Sequence, residues 1–202
     1  MAKHESPEVR RQQVADALLA TIAERGFAAT TLRDVAAKAG VSVGLVQRYF
    51  RTRAELLRFG MQVVYERASR RIQDVPVQAP LRDFASQLVT TLFPVDEDRE
   101  QEFQVWLAFL QASLHDPEIG RIQRESSQEL MDGLTRVLGG AISHGELPKG
   151  IDPEFESRCL MAYVDGLSLH AVITTDGFDR DMLTAALRTY LDRLFTAPEM
   201  PS

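Results

Sequence analysis

Apolar residues recur every three or four positions along most of the chain, which is the spacing of one buried face of an α-helix. Val14 and Leu18 show this spacing near the start of the chain, and Leu187 and Leu191 show it near the end. No stretch alternates apolar and polar residues in the way that a half-buried strand does. The pattern therefore predicts an all-α protein of about nine helices.

Proline, serine and glycine indicate where several of these helices begin and end. Ser6-Pro7 combines a capping side chain with a proline at the first helical position. Gly26 is expected to end the first helix, because glycine adopts a positive φ without steric strain. The pair Gly139-Gly140 is expected to weaken the seventh helix, because glycine is a poor helix former.

Two short helical patterns separated by a glycine turn follow the first helix. Gly40 can turn the chain at positive φ, and Ser42 can cap the helix that comes next. Val46, Tyr49 and Phe50 continue the apolar face on that helix. Two helices joined by a short turn with glycine form a helix-turn-helix, whose second helix fits the major groove of DNA. The chain is therefore interpreted as a sequence-specific DNA-binding protein.

The charge distribution agrees with this interpretation, although the net charge of −6 does not. Residues 1–53 contain nine Lys and Arg against five Asp and Glu, a balance of +4, whereas residues 54–202 carry −10. Local charge, and not the total, decides where a polyanion binds. An acidic body argues against an architectural DNA protein that coats DNA.

Other features narrow the class of protein. Cys159 is the only cysteine, so no internal disulfide is possible, which suits a reducing cytoplasm. No apolar run is long enough for a membrane span, and the N-terminus has no apolar signal region. The histidines lack the spacing of a metal site, and no nucleophile–base pair is apparent, so neither a cofactor nor an enzyme activity is expected.

Many residues in the first 60 agree in order and spacing with one known family. They lie at positions 17–19, 24–27, 30–36, 39–42, 49–50 and 55–57. This pattern resembles the TetR family of bacterial transcriptional repressors. The resemblance implies a helix-turn-helix DNA-binding domain in residues 1–53 and a ligand-binding and dimerisation domain in residues 54–202, linked by the fourth helix. It also implies a homodimer that forms through the last two helices, about residues 155–196.

The same resemblance assigns the DNA contacts. It places Thr31, Ser42, Tyr49 and Arg53 near phosphates, the first two at helix N-termini where backbone N–H groups favour anions. It implies that Arg33 and the outward-facing residues of the third helix contact the bases. Those third-helix residues are Val43, Gly44, Leu45, Gln47 and Arg48. Many relatives carry Lys where this chain has Val43, so one polar contact is replaced by an apolar one. The alternative for Arg33, Gln47 and Arg48 is that they are solvated surface residues.

Candidate effector contacts are aromatic, apolar and polar residues of the second domain. Residues 105–109 and 162–167 are similar to a subgroup that includes the choline-responsive repressor of glycine betaine synthesis, and aromatic faces would suit a quaternary ammonium. The alternative is that the aromatic residues are core and that the polar ones bond one another at the dimer interface. The candidates are Met61, Phe84, Phe103, Trp106, Phe109, Leu110, Met131, Tyr163, Asp165 and His170.

The expected function is that of a homodimeric repressor which binds an inverted-repeat operator in double-stranded DNA. An unidentified small molecule is expected to release it, by binding better to a conformation whose recognition helices are wrongly spaced. A ligand-dependent activator remains the alternative, and a small helical enzyme is a more distant one. No membrane partner is expected.

Overall fold

The computed structural model describes residues 7–174 and 176–196, without the side chains at positions 7, 8 and 53. These residues form nine α-helices and no strand. The predicted all-α class and helix number are confirmed for these residues, and the predicted cap Ser6 lies outside them. In chain order the helices are α1 (Pro7–Ala29), α2 (Leu32–Lys38), α3 (Val43–Tyr49), α4 (Arg53–Gln73), α5 (Leu81–Thr90), α6 (Glu97–Ser113), α7 (Pro117–Ser143), α8 (Pro153–Ile173) and α9 (Arg180–Phe195).

The chain divides into two compact units, each with its own hydrophobic core. The first unit comprises Met1–Arg67 and Glu100–Gln123, and the second comprises Ala68–Arg99 and Arg124–Ser202. Helices α4, α6 and α7 therefore each contribute residues to both units. This geometric division differs from the functional boundary after residue 53, which stays a prediction.

Helices α1–α4 and α6, together with the start of α7, bury apolar side chains in one core of the first unit. Residues with no exposed surface include Leu18 on α1, Val35 on α2, Val46 on α3, Leu56 on α4 and Phe109 on α6. Helices α2 and α3 have seven residues each, which is too short for stability in isolation. The apolar contacts of these two helices to the core therefore hold them in place.

The helical backbone of α1 breaks at Gly26, as expected. Gly26 has φ 72° and ψ 155°, which breaks the helical backbone, but one further turn continues to Ala29. The Thr30 hydroxyl donates to the Gly26 carbonyl over 2.9 Å, and the Thr30 N–H donates to the Phe27 carbonyl over 3.1 Å. These two bonds hold the extra turn, and the break at Gly26 confirms the end predicted for the first helical segment.

The second unit packs the apolar faces of α7, α8 and α9 into its core. Leu138, Leu160 and Leu187, one from each helix, have no exposed surface. Helix α7 continues through Gly139 and Gly140, so the expected weak point does not end it. Burial of the neighbouring Leu138 stabilises the helix there, which offsets the poor helix propensity of glycine.

Candidate nucleic-acid interface

The turn between α2 and α3 has the backbone geometry of a helix-turn-helix. Gly40 has φ 65°, and the Val41 N–H donates to the Ala36 carbonyl over 3.0 Å, which reverses the chain at the end of α2. Ser42 is extended, with φ −71° and ψ 145°, and its hydroxyl accepts a hydrogen bond from the Leu45 N–H over 3.2 Å. Helix α2 packs against both α1 and α3. The turn and the cap predicted from the sequence are therefore confirmed.

A reciprocal capping box fixes the start of α2. The Asp34 N–H donates to the Thr31 hydroxyl over 3.2 Å, while the Asp34 carboxylate accepts from the Thr31 hydroxyl at 2.6 Å and from the Thr31 N–H at 3.0 Å. Arg25 on α1 pairs with the same carboxylate at 3.0 Å. The Thr31 hydrogen bonds, with the nearby charges of Arg25 and Arg33, hold the pKa of Asp34 below its ordinary 3.8. The ionised carboxylate therefore caps α2 and also ties it to α1.

The polar residues predicted to read bases are exposed on these two helices. Arg33 lies on α2, and Gln47 and Arg48 lie on α3, all with exposed side chains. Gly44 is also exposed, and a Cβ added there would meet no atom within 4 Å. A DNA base edge can therefore approach the α3 backbone closely at Gly44.

The two apolar residues of α3 that were predicted to face DNA are less accessible. Val43 and Leu45 are half-buried, and Val43 packs against the core of the first unit. Each therefore has only part of its side chain available for a thymine methyl group.

The residues predicted to contact phosphates differ in what they offer. The hydroxyl and the N–H of Thr31 both donate to Asp34, so Thr31 positions α2 and does not itself present a free donor. The Ser42 hydroxyl accepts one N–H and can still donate. The side chain of Tyr49 is 49% exposed. The side chain of Arg53 lies outside the described part of the chain.

Helical spacing alone put Tyr49 on the apolar face with Phe50, and for Tyr49 this is wrong. Tyr49 is the last residue of α3 and points to the surface, whereas Phe50 is only 9% exposed. The backbone leaves the helix at Phe50, with φ −134° and ψ 112°, and this turns the Phe50 ring inward. Its centroid lies 4.7 Å from that of Phe59 on α4.

Five candidate effector residues belong to the first unit. Met61 and Phe109 have no exposed surface and lie within its hydrophobic core. Phe103, Trp106 and Leu110, all on α6, are partly exposed. The Phe103 and Trp106 ring centroids lie 5.1 Å apart at an interplanar angle of 34°. These two partly exposed rings can offer aromatic faces to an apolar or cationic molecule.

The other five candidates belong to the second unit. Phe84 on α5 is buried and Met131 on α7 is partly exposed. The Tyr163 ring stacks on that of Tyr190 at 5.1 Å, and exposed His170 stacks on Phe178 at 5.0 Å. Half-buried Asp165 has no hydrogen bond or ion pair within the described part of the chain, and burial raises the pKa of its carboxyl group to about 6.

Sequence reasoning missed a charged contact among three helices of the first unit. Arg67 on α4 pairs with Asp16 on α1 and with Glu102 on α6. One signal was present, because Glu102 lies three residues before Val105 and seven before Phe109. That spacing puts a carboxylate on the face of α6 that enters the core.

Residues 7–174 and 176–196 contain no group of three or more His, Cys, Asp and Glu side chains that could hold a metal ion. None of their helices is long and apolar enough to cross a membrane.

The capped α2, the glycine turn and the exposed polar residues of α3 define a helix-turn-helix transcriptional regulator. Residues 14–58 match the family described as "Bacterial regulatory proteins, tetR family", and residues 81–196 match "BetI-type transcriptional repressor, C-terminal". The chain belongs to the TetR family of transcriptional regulators.

Named relatives match along nearly the whole chain. The regulator BetI of Paraburkholderia xenovorans is 32% identical, over 95% of this chain and 96% of its own length. The regulator PksA of Bacillus subtilis is 29% identical, over 96% of this chain and 94% of its own length.

Solved structures agree with the fold. A transcriptional regulator from Rhodococcus sp. RHA1 superposes with a TM-score of 0.83 at 26% identity, over 95% of this chain and 99% of its own. A regulator from Saccharomonospora viridis, solved in complex with choline, superposes with a TM-score of 0.84 over 92% of this chain and 96% of its own. At 19% identity the second likeness concerns the fold alone.

Proposed function

We propose that this chain is a homodimeric repressor that binds an inverted-repeat operator in the bacterial cytoplasm and releases it when a small molecule binds. The observation that carries the proposal is the capped helix-turn-helix with exposed Arg33, Gln47 and Arg48. Arginine can bond guanine O6 and N7 in bidentate fashion, and glutamine can do the same to adenine. Ser42, Tyr49 and Arg53 are proposed to position the domain on phosphates. Thr31 is proposed to do so through its placement of α2, because its own donors bond Asp34.

Helix α8 supports the proposed dimer. Phe155 and Ile173 on this helix are 57% and 68% exposed. They lie 18 residues apart, which is five helical turns, so both project from one face. Large apolar side chains exposed on one helix face favour an interface with another subunit. A two-fold dimer through residues 155–196 would place two α3 helices about 34–36 Å apart and would require an inverted repeat.

The proposed effector is a small quaternary ammonium compound, with choline as the first to test. The BetI-type match over residues 81–196 supports this class. The partly exposed rings of Phe103 and Trp106 support it independently, because aromatic faces attract a cation that has no N–H to donate. The remaining effector candidates in both units stay predictions.

The first experiment is selection of bound fragments from a random DNA pool by the full-length protein at near-physiological salt. One enriched inverted repeat, with half-sites about one helical turn apart, is expected. The Gln47→Ala variant is the matched control, and it should enrich the same repeat with relaxed preference at one position in each half-site.

The outcomes separate the parts of the proposal. Enrichment of single half-sites would contradict the dimer, and no enrichment either with or without choline would contradict operator binding. If choline leaves the operator affinity unchanged, choline is not the effector. A reporter gene behind the recovered operator then distinguishes repression from activation, because repression lowers its expression when the protein is present.

A further inference from the structure

Helices α1, α4 and α6 of the first unit meet at one charged residue. Arg67 Nη1 lies 3.6 Å from Glu102 Oε1 on α6, and Arg67 Nη2 pairs with the Asp16 carboxylate on α1. The Glu102 side chain is only 5% exposed and the Arg67 side chain 18%, whereas that of Asp16 is 56% exposed. A single guanidinium group therefore connects a buried carboxylate on α6 to a surface carboxylate on α1.

Burial makes this contact more restrictive than an ordinary surface ion pair. A buried carboxylate needs a compensating cation close by, so displacement of Glu102 away from Arg67 is unfavourable. The planar guanidinium can hold two carboxylates at fixed angles, which an ammonium group does not do. Arg11 and Glu66 also link α1 to α4, but over 3.9 Å and with side chains 44% and 45% exposed. Such an exposed pair constrains the helices little.

The same three helices also touch two turns earlier on α4. A Cβ added at Gly60 would lie 3.2 Å from Leu18 Cδ2 on α1 and 3.7 Å from Val105 Cγ1 on α6. Gly60 and Arg67 are seven residues apart, so they share one face of α4. Tight packing at Gly60 limits how closely α1 and α6 can approach α4. The charged contact at Arg67 limits how far α1 and α6 can shift along α4.

We propose that Arg67 is a positioning residue that transmits the placement of α6 to the helix-turn-helix through α1. Farther along α1, Arg25 pairs with the Asp34 carboxylate that caps α2. A shift of α6 that carries Glu102 therefore displaces Arg67, α1 and the start of α2 in turn. Coupling between two sites is reciprocal, so DNA bound at α3 must also alter α6. This inference rests on the proposed DNA binding, but it does not depend on the identity of the effector.

The chain contains a probe for α6, because its only tryptophan is Trp106, one turn after Glu102. The experiment titrates duplex DNA into the full-length protein, using the duplex enriched by selection or, failing that, a random-sequence duplex at low salt. Anisotropy of a dye on the DNA reports binding, and Trp106 emission reports α6. In the unsubstituted protein, Trp106 emission should change in parallel with binding.

Two variants weaken the contact, one at its surface carboxylate and one at the guanidinium group. Asp16→Asn alters a largely exposed side chain and so preserves folding, and Arg67→Lys keeps the charge but not the planar group. Both should bind DNA with a Kd within about fivefold of the unsubstituted protein and yet lose most of the Trp106 change. Glu66→Gln is the matched control, since it removes the exposed Arg11–Glu66 pair between α1 and α4 and leaves Arg67, Asp16 and Glu102 unchanged, and it should keep the full change.

Three results would overturn the proposal. The first is DNA saturation of the unsubstituted protein without any Trp106 change. The second is an undiminished change in both Asp16→Asn and Arg67→Lys. The third is an equal loss in Glu66→Gln. If anisotropy shows no DNA binding at all, the proposed function fails as well, and the two failures are thereby distinguished.

Discussion

Replacing two neighbouring aromatic residues should damage two different properties of this protein. Tyr49 is 49% exposed at the end of α3, whereas Phe50 is 9% exposed with its ring 4.7 Å from that of Phe59. Phe50→Ala should therefore lower the free energy of unfolding of the first unit. Tyr49→Phe should leave that free energy unchanged and should weaken DNA binding.

The sizes of the two effects follow from burial. Substitution of a core Phe by Ala lowers the unfolding free energy by about 3–5 kcal/mol, of which an aromatic pair contributes about 0.5–1.5 kcal/mol. Because Phe50 keeps a small exposed edge, we expect about 3 kcal/mol. Loss of the exposed Tyr49 hydroxyl should change stability by less than about 0.5 kcal/mol. If that hydroxyl donates to a phosphate, its loss should raise the Kd for DNA by about tenfold.

The assay follows urea denaturation by Trp106 emission, because Trp106 packs against the core that contains Phe50. DNA binding is followed by anisotropy at one fixed salt concentration, since phosphate contacts depend on salt. Phe50→Leu is the control, and it should be less destabilising than Phe50→Ala because it fills more of the space. The reasoning is refuted if Phe50→Ala unfolds at the urea concentration of the unsubstituted protein, or if Tyr49→Phe unfolds appreciably earlier.

Three further predictions address DNA reading, pH dependence and assembly. Arg33→Ala or Gln47→Ala should weaken operator binding by about 1–3 kcal/mol in competition anisotropy, and equal losses on random DNA would contradict base reading. Burial raises the pKa of Asp165 from 3.8 to about 6, so the folded state binds this proton more tightly than the unfolded state. The unfolding free energy should therefore fall by up to about 3 kcal/mol as pH rises through this interval. Asp165→Asn should flatten this pH dependence in urea titrations. Ile173→Glu, which places a charge on a 68% exposed site, should yield a monomer in sedimentation at micromolar concentration; a persistent dimer would exclude this face.

The helix-turn-helix could be predicted because its determinants lie within a few residues of one another. The Thr31–Asp34 capping box spans three residues, and the glycine turn and the Ser42 cap are equally local. The split between Tyr49 and Phe50 could not be read from periodicity, because it depends on where the backbone leaves α3. The extra turn after Gly26 was missed for a similar reason.

The charged contact at Arg67 is harder to predict. Asp16 and Glu102 lie 51 and 35 residues from Arg67 in the chain, so no local pattern joins them. Helical spacing also cannot separate a core residue from an effector contact. Fully buried Met61 and partly exposed Trp106 both satisfied the pattern, and only the packing of the first unit tells them apart.

The length of α3 limits how much sequence information one subunit can read. Seven residues span about 10 Å, which is the length of about three base pairs. Three base pairs distinguish about 64 sequences, and two such helices distinguish about 4,000. A genome offers on the order of a million or more competing positions, which is far more than two copies of α3 can tell apart. In the proposed dimer, the remaining discrimination would come from Arg33 on α2 and from the sequence-dependent shape of the DNA between the half-sites.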